Sequence, residues 1–164
     1  MSRVVGGLRA DDPLERRGWR PFAIGGICLA GIGLSIYLLI VHYVHGALVC
    51  SNTGAVNCSK VLTSPQSAIF GVPVSALGLA YFIGMAVICI PGAWCSAAAW
   101  LAWGRIAAAT VGIVMVIYLI AQEALVLHVI CLWCTGVHVL TFAMFLIIIT
   151  GWEDTGHARS RYEY

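Results

Sequence analysis

Residues 124–152, ALVLHVICLWCTGVHVLTFAMFLIIITGW, carry no charged side chain. A helix rises ~1.5 Å per residue and the hydrocarbon core of a bilayer is ~30 Å thick, so about 20 apolar residues span it. This run is longer than that, and it holds Cys131-Leu132-Trp133-Cys134 near one end. On a helix, positions three apart are neighbours, with Cβ atoms roughly 5–6 Å apart. That separation suits a disulfide, whose Cα atoms usually lie ~4.4–6.8 Å apart. A thiol near a helix N-terminus is also drawn toward the thiolate by the positive end of the dipole, and thiolate is the species that exchanges. The leading reading of this C-x-x-C is a redox pair. An inert buried pair and half of a zinc site are the alternatives, and a structural zinc needs two further ligands from elsewhere.

The rest of the chain is equally apolar. Its 164 residues are 61% hydrophobic and 10% charged, with mean hydropathy +0.94, where a soluble domain carries about 25% charged residues. These values imply an all-α integral membrane protein, a bundle of four transmembrane helices. The expected spans are Pro21–Val44, Val72–Ile90 (stopped by Pro91-Gly92), Ala97–Gln122 and Leu125–Thr150, with polar tails over 1–20 and 151–164. The first apolar run exceeds the ~7–15 residues of a signal-peptide core, so it is expected to stay as an anchor. Gly26 and Ala30 form a small-x-x-x-small pair on it, of the kind that lets helices approach closely in lipid. Arg3, Arg9, Arg16, Arg17 and Arg20 precede the first span, Arg105 opens the third, and Arg159 and Arg161 follow the fourth; only Lys60 falls on the other side. Basic residues concentrate in the cytoplasm, so both termini are expected there, with residues 45–71 outside. The net charge of +2 offers no nucleic-acid surface.

Residues 45–71 form the longest connection, uncharged except for Lys60 and still carrying Val61, Leu62, Ile69 and Phe70. Such a loop is expected to lie on the membrane. Cys50 and Cys58 enclose seven residues including Gly54, enough slack to close a disulfide, either redox-active or static. Of seven cysteines, four fall on the outer, oxidising side as two pairs, and Cys28, Cys89 and Cys95 read as buried structural thiols. Two pairs that could meet suggest a relay, one pair facing water and the other facing lipid. His138 is one turn beyond Cys134 and is a functional candidate as an intramembrane histidine. His42 and His45 read as interfacial, and Arg105 as snorkelling to the headgroups. Gln122-Glu123 reads as the end of the third helix. Glu123 is then a solvated interfacial charge, or alternatively a base or ion-pair partner near the fourth helix; His128 has no assigned role.

Taken together, these residues resemble the vitamin K epoxide reductase family in its bacterial form. Cys50 and Cys58 match that family's loop pair, Cys58-Ser59-Lys60-Val61-Leu62-Thr63-Ser64-Pro65 resembles the segment after its second loop cysteine, and Cys131-Leu132-Trp133-Cys134 matches its C-x-x-C. The likeness covers about residues 20–150. A second quinone-linked family of disulfide-forming membrane proteins places its C-x-x-C in the first outer loop, the reverse of the order here. The resemblance implies electron transfer from protein thiols to a membrane quinone, menaquinone or ubiquinone, with no metal. It implies that Cys50 meets a separate secreted or periplasmic thioredoxin-fold (DsbA-like) protein, that Cys58 exchanges with Cys131, and that Cys134 faces the quinone. It further implies that Ser64, Ser67, Phe70 and His138 line the quinone pocket. Animal members have Asn where this chain has Ser67 and Tyr where it has His138, which weighs against vitamin K epoxide as substrate. The chain ends about 14 residues after the fourth span, on the side away from the cysteines, so the thiol partner is expected to be a separate protein.

Two other functions compete: a four-helix scaffold with static outer disulfides, and a metal transporter or sensor built on cysteines and histidines. No span carries a cluster of acids and histidines, which disfavours the second. The charge bias itself is testable. In a cysteine-free chain, single reporter cysteines at Gly54 and Thr155 are expected to label from opposite sides of the membrane with an impermeant maleimide; labelling from one side contradicts the four-span topology.

Overall fold

The computed structural model describes residues 13–44, 49, 50, 54, 56–90 and 99–160. Arg3, Arg9, His45, Cys95 and Arg161, all used above, lie outside the described residues. The architecture is mostly helical: α1 (Pro13–Tyr43), the short α2 (Cys58–Leu62), a 3₁₀ turn (Pro65–Ser67), α3 (Val74–Ile88), α4 (Ala99–Ala121) continuing as a π-helical turn (Gln122–Leu127), and α5 (Leu132–Ser160). The connection between α2 and α3 is not purely helical. Strands Ala68–Ile69 and Val72–Pro73 pair antiparallel, with Ile69 opposite Val72.

Three of these helices are long and apolar enough to cross a membrane, Gly18–Tyr43, Trp100–Leu127 and Leu132–Gly151. Val74–Ile88 is a shorter apolar helix of 15 residues, about 22 Å at ~1.5 Å per residue. It is two residues shorter at each end than the span expected from sequence, because the hairpin strand ends at Pro73 and the helix turns off at Cys89. Two helices also outrun their expected limits. α1 begins at Pro13, inside the stretch read as a polar tail, and α5 continues to Ser160.

Successive long helices alternate in direction. The end of α1 meets the start of α5 through Tyr37 and Trp133, whose ring centroids are 4.8 Å apart. At the opposite end, Arg105 near the start of α4 donates from Nε to the Ile88 carbonyl at the end of α3, 3.0 Å away. Arg105 is buried and so does not snorkel. A helix C-terminus presents unpaired carbonyls and a partial negative charge, which this guanidinium satisfies.

The face that α1 turns inward is written at helical spacing: Ile24, Cys28, Gly31, Ser35, Leu38 and Val41 are all buried. Gly26 and Ala30 lie off that stripe, exposed, so the expected small-residue pair is not the contact. Gly31 takes that role. A Cβ there would overlap the ring of the fully buried Phe82 from α3. Beside it, Ile24, Cys28, Met85, Cys89, Ala109, Met144 and Ile148 close the main core, and Cys28 Sγ lies 3.9 Å from Met144 Sδ. A smaller cluster of Leu38, Val41 and Leu62, joined by Tyr37, Trp133 and Val137, supports α2 at the other end. In lipid such contacts act through close packing, since lipid tails are as apolar as the side chains. Gly31→Ala is therefore expected to cost about 1–3 kcal/mol through overpacking. Gly33→Ala, whose Cβ meets nothing within 4 Å, is expected to cost nothing. Unfolding titrations of both variants in mixed micelles check the contrast.

Candidate active site

The site is built around the junction between α4 and α5. The sequence led us to expect α4 to end at Gln122-Glu123 and the next helix to start at Leu125. Instead α4 widens into one π-helical turn to Leu127, stops at His128 with left-handed φ of 52°, and α5 begins only at Leu132. Single π turns redirect side chains out of the α-helical register and recur at functional sites. Here Glu123 is turned inward and buried, which corrects its reading as a solvated interfacial charge. Its Oε2 accepts a hydrogen bond from the Cys131 N–H at 3.2 Å. The first N–H groups of a helix have no partner of their own, and this carboxylate serves the start of α5. His128 and Val129 close the turn, both donating their backbone N–H to the Glu123 carbonyl.

Cys131 therefore sits immediately before α5, fully buried, and Cys134 lies in its first turn. Both are free thiols, and the Cys134 N–H donates to Cys131 Sγ at 3.4 Å. The Cys131 thiol, between two apolar helices, is held below the ordinary range for cysteine. Hydrogen bonding by the Cys134 thiol is the main cause, with the backbone N–H groups of Cys134 and Trp133 adding to it; burial and the Glu123 charge oppose it.

The loop is fastened above this pair. Cys50 and Cys58 form a disulfide with Cα atoms 6.2 Å apart. Val56 forms a parallel bridge with Ile130, and the Asn57 N–H donates to the Ile130 carbonyl at 3.1 Å. Cys58 and Cys131 are thus each one residue beyond the same backbone hydrogen bond, and both are fully buried. Asn57 also caps α2, its Oδ1 accepting the Lys60 N–H at 2.9 Å, while Lys60 Nζ donates to the Leu127 carbonyl at 2.9 Å. On the other side of the disulfide, Trp133 Nε1 donates to the Val49 carbonyl at 2.9 Å, and the Val49 N–H donates to the Tyr37 hydroxyl at 3.0 Å. Asn57, Trp133 and Tyr37 were not singled out from the sequence as parts of a site. Two carried a signal: Asn immediately before Cys58 suits a helix N-cap, and a buried indole N–H needs an acceptor.

Below the loop, a cavity of about 660 Å³ opens among α1, α3, α4 and α5. Its walls are mostly apolar, from residues such as Leu38, Val74, Phe82, Met115 and Leu119. Ser64, Ser67, Glu123, Cys134 and His138 bring polar groups to it. Of the residues expected at a pocket, Ser64, Ser67 and His138 line this one, with Ser64 Oγ also donating to the Val61 carbonyl at 2.8 Å. Phe70 does not. It stands at the tip of the hairpin, where positive φ at Phe70 (51°) and Gly71 (80°) turns the chain, and its side chain is fully exposed. Two buried polar atoms on residues of the cavity wall, Gln66 Oε1 and the Tyr81 hydroxyl, have no hydrogen-bond partner. Among the described residues no group of three or more His, Cys, Asp or Glu could hold a metal ion.

No curated protein matches the chain. Residues 22–149 match the Vitamin K epoxide reductase family, a stretch that includes both cysteine pairs, the loop and the cavity. Members of that family are membrane thiol–disulfide oxidoreductases, which agrees with a disulfide and a free cysteine pair held together among apolar helices. The chain belongs to the vitamin K epoxide reductase family.

Proposed function

We propose that the protein oxidises thiols of a thioredoxin-fold partner outside the cytoplasm and passes the electrons to a membrane quinone, supporting disulfide formation. The observation that carries this reading is the shared anchorage of the two cysteine pairs, with Cys58 and Cys131 on either side of the Asn57–Ile130 hydrogen bond and Cys134 opening into the cavity. In this reading Cys50, half-buried on the loop, receives electrons from the partner. The Cys58 thiolate then attacks the oxidised Cys131–Cys134 bond at Cys131, releasing Cys134, which takes up a proton and stands as a thiol at the cavity wall. Cys50 next closes on Cys58 and frees Cys131. When bound, a quinone supplies a two-electron, two-proton acceptor.

The cavity suits such a ligand. Small-molecule sites usually measure ~300–1,000 Å³, mostly apolar with a few polar groups. A quinone oxygen accepts hydrogen bonds, and the unpaired Tyr81 hydroxyl offers one; the unpaired Gln66 Oε1 suits the O–H of the reduced product. Ser64, Ser67 and His138 are the other polar contacts in this reading.

The arrangement of charge supports four spans with both termini cytoplasmic and the cysteines on the outer side. Eight Lys and Arg residues fall on one side of that topology and Lys60 alone on the other. α3 fits as the fourth span when the flanking apolar residues 72–73 and 89–90 are included. The loop from 45 to 71, with Phe70 exposed at its hairpin tip, then lies along the outer membrane surface.

Two measurements test the reading. Cys134→Ala is expected to trap a Cys58–Cys131 disulfide, seen by non-reducing peptide mapping; Cys58 staying with Cys50 in every molecule supports a static scaffold instead. Tyr81→Phe removes one hydrogen bond, worth about 0.5–1.5 kcal/mol, so the KM for a short-chain quinone is expected to rise roughly two- to tenfold. An unchanged KM removes Tyr81 from the site.

A further inference from the structure

Glu123 is a buried carboxylate in a helix long and apolar enough to cross a membrane, and an intramembrane acid is costly unless it has a function or a partner. Its contacts are specific. Oε2 accepts from the Cys131 N–H at 3.2 Å, and Glu123 lines the same cavity as Cys134. The Cys134 N–H donates to Cys131 Sγ at 3.4 Å, so the carboxylate and the cysteine pair are gathered at the start of α5 beside the cavity. Glu123 continues the inward face of α4, at helical spacing from the buried Ala109 and Gly112, and that face is what aims the carboxyl there. The remaining titratable groups around the cavity are His42 from α1, Tyr81 from α3, Tyr118 from α4 and His138 from α5, and Lys60 of α2 is bonded to the carbonyl of Leu127 on the same turn.

We propose that Glu123 is a catalytic proton carrier between Cys134 and the electron acceptor in the cavity. The proposal rests on the quinone-reductase reading above. Closing the Cys131–Cys134 disulfide forms one S–S bond and releases two electrons and two protons; a quinone takes up both pairs to become a hydroquinone. Glu123 removes the Cys134 proton as the sulfur gives up its electrons, then delivers that proton to a ligand oxygen and returns to the carboxylate. The proton lost from Cys131 Sγ as the bond closes supplies the second.

The test uses the purified full chain in detergent, with dithiothreitol as donor and a short-chain benzoquinone as acceptor. Glu123→Gln keeps an oxygen for the Cys131 N–H and loses the base. General acid–base groups contribute ~10²–10⁴-fold, so its quinone reduction is expected to fall about 100-fold or more. A second readout separates proton transfer from simple electrostatics: alkylation of Cys134 in a Cys131→Ser background, followed by mass spectrometry across pH. Removing the negative charge beside Cys134 makes its thiolate easier to form, so Glu123→Gln is expected to speed alkylation and lower its pH midpoint. Faster alkylation with slower quinone reduction is the predicted pair. Quinone reduction that is unchanged, or that rises together with alkylation, overturns the proposal. Should Glu123→Gln fail to fold, Glu123→Asp carries the test, since it keeps the charge but withdraws the carboxylate by one methylene; a roughly tenfold slower reduction is expected, and an undiminished rate overturns the role. If the wild-type chain itself passes no electrons from dithiothreitol to the quinone, the quinone reading falls and this proposal with it, an outcome distinct from an active wild type with an equally active Glu123→Gln.

Discussion

The hydrogen bond from the Cys131 N–H to the Glu123 carboxylate joins two helices across a turn that must satisfy its backbone in apolar surroundings. Irregular backbone at membrane depth is tolerated only where protein or a cavity meets its polar groups. The α4–α5 turn meets them internally. Glu123 supplies a side-chain oxygen to Cys131 and its own carbonyl to His128 and Val129, the Ile130 carbonyl is taken by Asn57, and the Leu127 carbonyl by Lys60. Each of these partners belongs either to the turn itself or to the loop. Satisfying the turn and seating the loop are therefore the same set of hydrogen bonds, and the position of Cys58 relative to Cys131 is a by-product of them.

Away from that end, the bundle is held by packing of a different character. The α1 stripe from Ile24 to Val41 meets α3 where Gly31 makes room for Phe82, and the sulfur atoms of Cys28 and Met144 approach across the core. These contacts fix how far apart the helices stand. At the other end the same four helices enclose the 660 Å³ cavity. One end is closed by large side chains set against small ones, and the open end is where the polar groups collect.

Much of the fold was legible in the sequence, because apolar runs bounded by polar segments are a strong signal in a chain this hydrophobic. The three long spans and the two cysteine pairs were read directly. What was missed has identifiable physical causes. Periodicity could not distinguish Gly26 and Ala30 from Gly31, since the inward face of α1 depends on which way the whole helix is rotated against its neighbours. A π turn leaves no compositional mark, so the sequence predicts the start of α5 about seven residues early; Glu123 reads as a helix end there, although it continues the buried stripe of Ala109 and Gly112. Phe70 was placed at a pocket through likeness alone, and the left-handed backbone at Phe70 and Gly71 carries it outward. Ser64, Ser67 and His138 were likewise chosen by likeness, and the cavity gathers them because the 3₁₀ turn and α5 face each other across it.

The loop disulfide is tethered on both flanks, by the Val49–Trp133 bond ahead of Cys50 and the Asn57–Ile130 bond ahead of Cys58. Cys58 and Cys131 have no solvent exposure, whereas Cys50 is partly open. The inner sulfurs are insulated: a small thiol dissolved in water can touch the rim of the circuit at Cys50 but not its middle. The backbone beside both inner cysteines is held by the same pair of hydrogen bonds, which fixes the loop against the start of α5. The tethers thus serve as insulation as well as a frame, leaving one sulfur of the loop disulfide at the surface and shutting the two behind it away from water.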